Sequence, residues 1–328
     1  MRATRIFAAP IVVLATISAI ATLATSAEAR VVHGLVQAHS AAFVGGSYDV
    51  GDGLRISIAV SEAVPDALGE ARTWASFYKG LLHGSEIARI RIRVVPMTEI
   101  TRQCGDGTDG CYNPWSEIVM IPPSSYEYSR TTAAHEYGHH LANNRLNTPW
   151  DAVDWGTKRW ATYENVCART RAKTAFPGDE DREYGRNPGE AFAESYAVLS
   201  GYEYDDTLFS KSFKPTKKAL ELIRQDVLSP WTQATVTTKK GRFTKSDKSR
   251  RVSIATPLDG IGRVTVESSL ALDADLRLYS SAGRLIGRSA TDSHRESVGY
   301  TICGTRGLSA NLLRYDGAGT YTLTSSQP

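Results

Sequence analysis

The segment His135-Glu136-Tyr137-Gly138-His139 constrains this chain more than any other. On a helix, residues four apart lie one above the other on the same face, so His135 and His139 can direct two imidazoles at one metal ion. Glu136 sits beside them. Its carboxylate would lie near the ion's open position, where it can take a proton from a bound water whose pKa the metal lowers toward 7. Ala133, Ala134 and Gly138 keep the helix small where close packing is needed. His140 is turned about 100° around the helix from its neighbour and reads as a surface or supporting group.

The surroundings predict how this helix is housed. Residues 54–60 alternate apolar and polar like a half-buried strand, and residues 88–95 repeat the pattern around Ile90, Ile92 and Val94. Between them Leu68, Ala71, Ala75, Tyr78 and Leu82 recur at helical steps. A strand at 117–121, stopped by Pro122-Pro123, precedes the histidine helix, expected from Ser129 to Asn144. Further helices are expected from Glu190 to Leu199 and from Thr216 to about Leu228, closed by Pro230. The fold class is therefore α+β over residues 30–232, with the histidine helix under a mixed sheet and the cleft between that sheet and the Glu190 helix.

From Lys239 to Arg251 seven basic residues accompany one acid, Asp247, and residues 233–250 are expected to be a solvated basic linker. Short alternating segments at 252–256, 262–268, 273–279, 297–303 and 319–325 then predict an all-β sandwich over residues 251–328.

The N-terminus points to export. Arg2 and Arg5 precede an apolar stretch from Phe7 to Leu23 that ends before Ala27-Glu28-Ala29, the pattern of a signal peptide over residues 1–29 cleaved after Ala29. The stretch is shorter than the roughly 20 residues of a membrane span and is diluted by Thr16, Ser18 and Thr22, which argues against an anchor. Residues 1–29 carry Arg2, Arg5 and Glu28, a net +1, so the remainder of this +3 chain carries +2. So mild a balance argues against nucleic acid as a partner. In an exported chain the four cysteines meet an oxidising compartment. Cys104 and Cys111 bracket a flexible glycine-rich turn and are expected to bridge, leaving Cys167 for Cys303, a pair that would tie the two regions together.

A catalytic metal needs a third protein ligand and an open fourth position. A third histidine downstream is not expected, because the extended pattern wants Gly and His where this chain has Ala142 and Arg145. Glu190 is the preferred candidate: Pro188 and Gly189 mark a helix start, and Glu190 and Glu194 then share one face. Glu194 can hold the free nitrogen of a ligand histidine. Asp181, in the acidic run Asp179 to Glu183, is the rival third ligand.

The His-Glu-x-x-His arrangement is that of zinc peptidases. With Tyr184-Gly185-Arg186 and Glu190-Ala191-Phe192-Ala193-Glu194 it resembles the gluzincin peptidases, and among them the catalytic domain of anthrax lethal factor, over residues 117–200. The spacing from Tyr184 to Glu190 is one residue shorter here. The resemblance implies a zincin-like fold, Zn2+ held by His135, His139 and Glu190, Glu136 as general base, and Tyr184 as a hydroxyl donor to the tetrahedral intermediate. Asp181 and Tyr184-Gly185 resemble instead the aspzincin motif, which would make Asp181 the ligand. The closing region, through Asp273 to Tyr279 and Gly317 to Thr324, resembles the bacterial pre-peptidase C-terminal domain, which implies an accessory domain with possible glycan or surface contact. The expected activity is hydrolysis of peptide bonds in a protein or peptide substrate by a secreted zinc metalloendopeptidase, the 117–121 strand pairing with the substrate. The alternatives are a non-catalytic secreted binding protein on the same scaffold and a narrow-target protease effector.

Overall fold

Strand alternation is realised first. In the computed structural model, which describes residues 42–304 and 306–328, strand β1 (Phe43–Gly51) pairs antiparallel with β2 (Leu54–Ser61). Ile56, Ile58 and Val60 point inward from β2 and are buried. Helix α1 (Ala67–Gly80), capped by Asp66 accepting from the Gly69 N–H, crosses over to β3 (Arg91–Val94), which runs parallel to β2. Ala71, Trp74, Ala75 and Tyr78 form the buried face of α1, whereas Leu68, expected there, is exposed. The strand expected over 88–95 is shorter, because Ser85–Ala88 forms a turn of 3₁₀ helix.

Helix α2 (Met97–Cys104) is joined to β4 (Cys111–Asn113) by the Cys104–Cys111 disulfide, as the spacing predicted. Strand β5 (Ile118–Ile121) runs parallel to β3 and antiparallel to β4, completing a mixed sheet of order β1-β2-β3-β5-β4. Helix α3 (Ser129–Asn143) follows and carries the histidines. A small hairpin of β6 (Leu146–Asn147) and β7 (Trp150–Asp151) leads into short helices α4 (Ala152–Trp155), α5 (Lys158–Tyr163) and α6 (Val166–Arg171).

Helix α7 (Pro188–Leu199) begins with Pro188 at its first turn and Asn187 as cap, the Asn187 side chain accepting from the Gly189 N–H at 3.0 Å. It packs on α3 without space to spare: a Cβ on Gly138 would lie 2.7 Å from the Ala193 Cα. That contact between a glycine and an alanine backbone brings the carboxylates of α7 to the histidines of α3. Helix α8 (Lys217–Leu228), capped by Thr216, closes this region around one hydrophobic core.

The expected linker at 233–250 is not one. Its residues form β8 (Thr235–Phe243) and the start of β9 (Ser249–Ile254). With β10 (Gly260–Ser268), β11 (Leu272–Ser280), β12 (Leu285–Ser289), β13 (Arg295–Ile302), β14 (Leu308–Gly317) and β15 (Gly319–Gln327) they make two four-stranded sheets, β13-β10-β15-β8 and β12-β11-β14-β9. A second hydrophobic core draws on both sheets, with Val264, Val266 and Leu323 from one and Leu276, Leu278 and Leu312 from the other. The basic run misled because β8 and β9 are outer strands, where lysine and arginine discourage edge-to-edge pairing rather than mark disorder. Overall the chain is α+β with a sandwich of sheets, and the second disulfide, Cys167–Cys303, ties α6 to the loop after β13. The expected signal peptide, residues 1–29, lies outside the described residues; among those described, no helix is long and apolar enough to cross a membrane.

Candidate metal centre

His135 and His139 rise one above the other on α3, their Nε2 atoms 3.2 Å apart. The Glu190 carboxylate closes the group, with Oε2 3.1 Å from His135 Nε2 and Oε1 3.2 Å from His139 Nε2. One donor atom from each of the three residues lies within 4.8 Å of the others, a buried arrangement that could hold a metal ion. Asp181, the rival, is exposed and lies outside this group; its backbone N–H bonds Asp179 instead.

Glu194, one turn beyond Glu190, faces His135 Nδ1 at 3.4 Å and accepts the Asp205 N–H at 2.9 Å through its other oxygen. With Nδ1–H directed at that carboxylate, the lone pair of His135 is left on Nε2, toward Glu190. Burial alone would lower the pKa of His135; the Glu190 and Glu194 carboxylates outweigh it and push it up to about 10. His139 is likewise raised against the effect of burial, mainly by Glu190. Burial opposes the charge on Glu190, but the two imidazoles hold its carboxyl well below the usual range. The centre is thus a well of negative potential that favours a cation.

Glu136 is buried beside the group, and burial raises its pKa although His135 and His139 pull it down. Tyr184 is pushed far up, by burial first and then by the nearby Glu190 carboxylate. Its ring packs on Phe209, centroids 5.7 Å apart, and Phe209 in turn lies against the His135 ring at 6.0 Å.

Some members of the site were not expected. Glu180 lies near Glu190, and desolvation with the Glu190 charge raises its pKa to about 7, while Asn187 Nδ2 donates to it at 3.1 Å. The acidic run was the visible signal, but its residue that faces the centre is Glu180, not Asp181. His140 is fully buried rather than at the surface: Nε2–H donates to the Glu86 carbonyl at 2.9 Å, so Nδ1 accepts from the Tyr112 hydroxyl at 3.2 Å. Arg145, where a third histidine would stand, pairs with buried Glu86 at 2.8 Å, and Tyr137 donates to the same carboxylate at 2.9 Å. Strand β5 has β3 and β4 on its two sides, so its backbone is already paired; the free edge near the site belongs to β4.

No family model matches this chain, and no curated protein does. Among solved structures, the pre-peptidase C-terminal domain of collagenase from Bacillus anthracis is similar over 27% of this chain and 87% of its own, at 16% identity and a TM-score of 0.24. PliG of Aeromonas hydrophila, a periplasmic inhibitor of g-type lysozyme, is similar over 28% of this chain and 86% of its own, at 14% identity and a TM-score of 0.23. The Yersinia pseudotuberculosis-derived mitogen is similar over 29% and 87%, at 13% identity and a TM-score of 0.24. Likenesses of this size carry no argument about activity.

Proposed function

We propose that this chain is a secreted zinc-dependent endopeptidase. The observation that carries this is the convergence of His135, His139 and Glu190 with the buried carboxylate of Glu136 beside them. In a tetrahedral site with arms of about 2.0–2.1 Å, donor atoms stand roughly 3.3 Å apart. The two imidazole nitrogens stand 3.2 Å apart, close to that spacing, and each has a different oxygen of the Glu190 carboxylate at 3.1 and 3.2 Å. Two imidazoles and one carboxylate also suit zinc better than calcium or magnesium, which prefer oxygen donors throughout.

Zinc bound there would polarise a scissile carbonyl and bring the pKa of a water toward 7. Glu136 would be the group to accept a proton there and return it to the leaving amine, its buried, raised pKa bringing base and working pH closer together. The Tyr184 hydroxyl, held protonated, can donate to the developing oxyanion, and the outer edge of β4 offers backbone groups to an extended peptide. The two disulfides suit an oxidising, extracellular setting and agree with the export pattern of residues 1–29.

The test is cleavage of unfolded casein by the mature chain, with and without a zinc chelator, beside Glu136→Ala with its metal content measured. Chelator-sensitive cleavage should fall by about 10²–10⁴ in the variant while zinc stays bound. A zinc-loaded wild type that leaves casein intact would sink general endopeptidase activity and turn attention to a single protein target or to binding without catalysis.

A further inference from the structure

Residues 205–210, in the loop that follows α7, are tied to the metal centre at three points. At one end the Asp205 N–H donates to Glu194 Oε1 at 2.9 Å, and the other oxygen of that carboxylate faces His135 Nδ1 at 3.4 Å. At the other end the Ser210 N–H donates to the carbonyl of Gly185, the neighbour of Tyr184, at 2.8 Å. The approach there needs a glycine, because a Cβ on Gly185 would collide with the Leu208 carbonyl. Between these ties Phe209, 5% exposed, sets its ring against His135 with centroids 6.0 Å apart and against Tyr184 at 5.7 Å.

The loop holds this shape through its own hydrogen bonds. Asp205 Oδ1 accepts from the N–H groups of Thr207 at 2.8 Å and Leu208 at 3.2 Å, and the Phe209 N–H donates to the Asp205 carbonyl at 3.0 Å, a turn that carries the Phe209 ring inward. A ligand histidine held at Nδ1 by one carboxylate can still swing about its ring torsion, which is broad for an aromatic side chain. Tyr184 begins a single turn of 3₁₀ helix, Tyr184–Arg186, too short to fix a phenol by itself. The Phe209 ring restrains both. It carries no charge and no hydrogen-bonding group, so whatever it contributes comes through the orientation of its two neighbours.

We propose that Phe209, carried by the 205–210 turn, is a positioning residue that fixes the His135 ring for the metal ion and the Tyr184 hydroxyl for the reacting carbonyl together. The Tyr184 half rests on the endopeptidase function proposed above, and the His135 half on the metal centre alone. Phe209→Ala, Phe209→Leu and the exposed Asp205→Ala are compared with wild type by zinc affinity against a chromogenic chelator, by the visible spectrum after Co2+ loading, and by kcat and KM at saturating zinc on a casein peptide that wild type cuts. Zinc affinity should fall about tenfold or more in Phe209→Ala, with an altered cobalt spectrum, and less in the same direction in Asp205→Ala. Leucine refills the volume without the flat ring, so Phe209→Leu should regain thermal stability but not the wild-type spectrum. In Phe209→Ala kcat should fall about tenfold at unchanged KM, and adding Phe209→Ala to Tyr184→Phe should lower it little further. Wild-type zinc affinity and cobalt spectrum in folded Phe209→Leu and Asp205→Ala would overturn the His135 half, and kinetic losses that simply add would overturn the Tyr184 half. If wild type binds zinc yet cleaves nothing, the peptidase function fails and the Tyr184 half with it, while affinity and spectrum still decide the rest.

Discussion

Helix α3 buries Glu136, His139 and His140 along with Tyr137 and Leu141, whereas the inward positions of β11 in the sandwich are Leu272, Ala274, Leu276 and Leu278. The first region also buries Glu86, Glu164, Glu190, Glu194 and Asp226; among the described residues the second buries only two carboxylates, Asp259 paired with Arg306 and Glu296 held by Ser289 and Thr291, around a core of apolar side chains. A buried charge costs several kcal/mol unless it is paired, so a region that keeps many of them does so where a site or a supporting network requires them. Here the carboxylates of α7 face the imidazoles, Glu86 faces Arg145, and Asp226 faces Arg159 at 2.6 Å. The contrast separates the part of the chain that buries charged networks around the candidate centre from the part held chiefly by apolar packing.

The largest test of that contrast is Arg145→Ala. Removing the partner of buried Glu86 should cost about 3–5 kcal/mol in urea unfolding, whereas Arg295→Ala, which loses only the exposed pair with Glu267 on the sandwich, should cost about 0.5 kcal/mol or less. Equal costs would mean that the buried network is no more than decoration. Next comes the bond between the two regions. Replacing Cys167 and Cys303 together by serine should lower stability by about 2–4 kcal/mol and split the calorimetric transition in two, one for each core. A single unsplit transition would show that the cores unfold together without that tie.

The smallest effect concerns the joint itself. Lys158 is 1% exposed, donates to the Thr148 carbonyl at 2.7 Å and lies 4.5 Å from the Trp231 ring centre. Gly260, at the start of β10, leaves it room: a Cβ there would come 2.8 Å from Lys158 Nζ. Burial lowers the Lys158 pKa to about 8, although Asp259 and Asp226 oppose this. An unfolded lysine titrates near 10.4, so between these values the unfolded chain holds more protons than the folded one and stability rises with pH. The rise should amount to about 1–3 kcal/mol and be missing from Lys158→Met when the two are compared by urea unfolding from pH 8 to 10. Identical slopes would show that the amine is not desolvated.

Much of the frame was legible because it is local. Alternation marked β2 and β3, three- and four-residue steps marked α1, and the Cys104–Cys111 turn predicted its own bridge. What failed was also consistent in kind. The basic stretch from Lys239 to Arg251 has too few apolar residues to announce a strand, because an outer strand of a sandwich buries little and its pairing partner, β15, lies far along the chain. His140 gave no local sign of burial, since its partners are Glu86 and Tyr112 on other elements.

The same division holds at the candidate centre. By itself the sequence determined that His135 and His139 share a helix face and that Glu190 and Glu194 share another, because helical periodicity acts over four residues. It left Glu190 and Asp181 as rivals for the third position. Tertiary structure decided between them, because Gly138 and Ala193 have no side chains large enough to hold α7 away from α3, and that close crossing carries Glu190 to the imidazoles while Asp181 stays exposed on its loop.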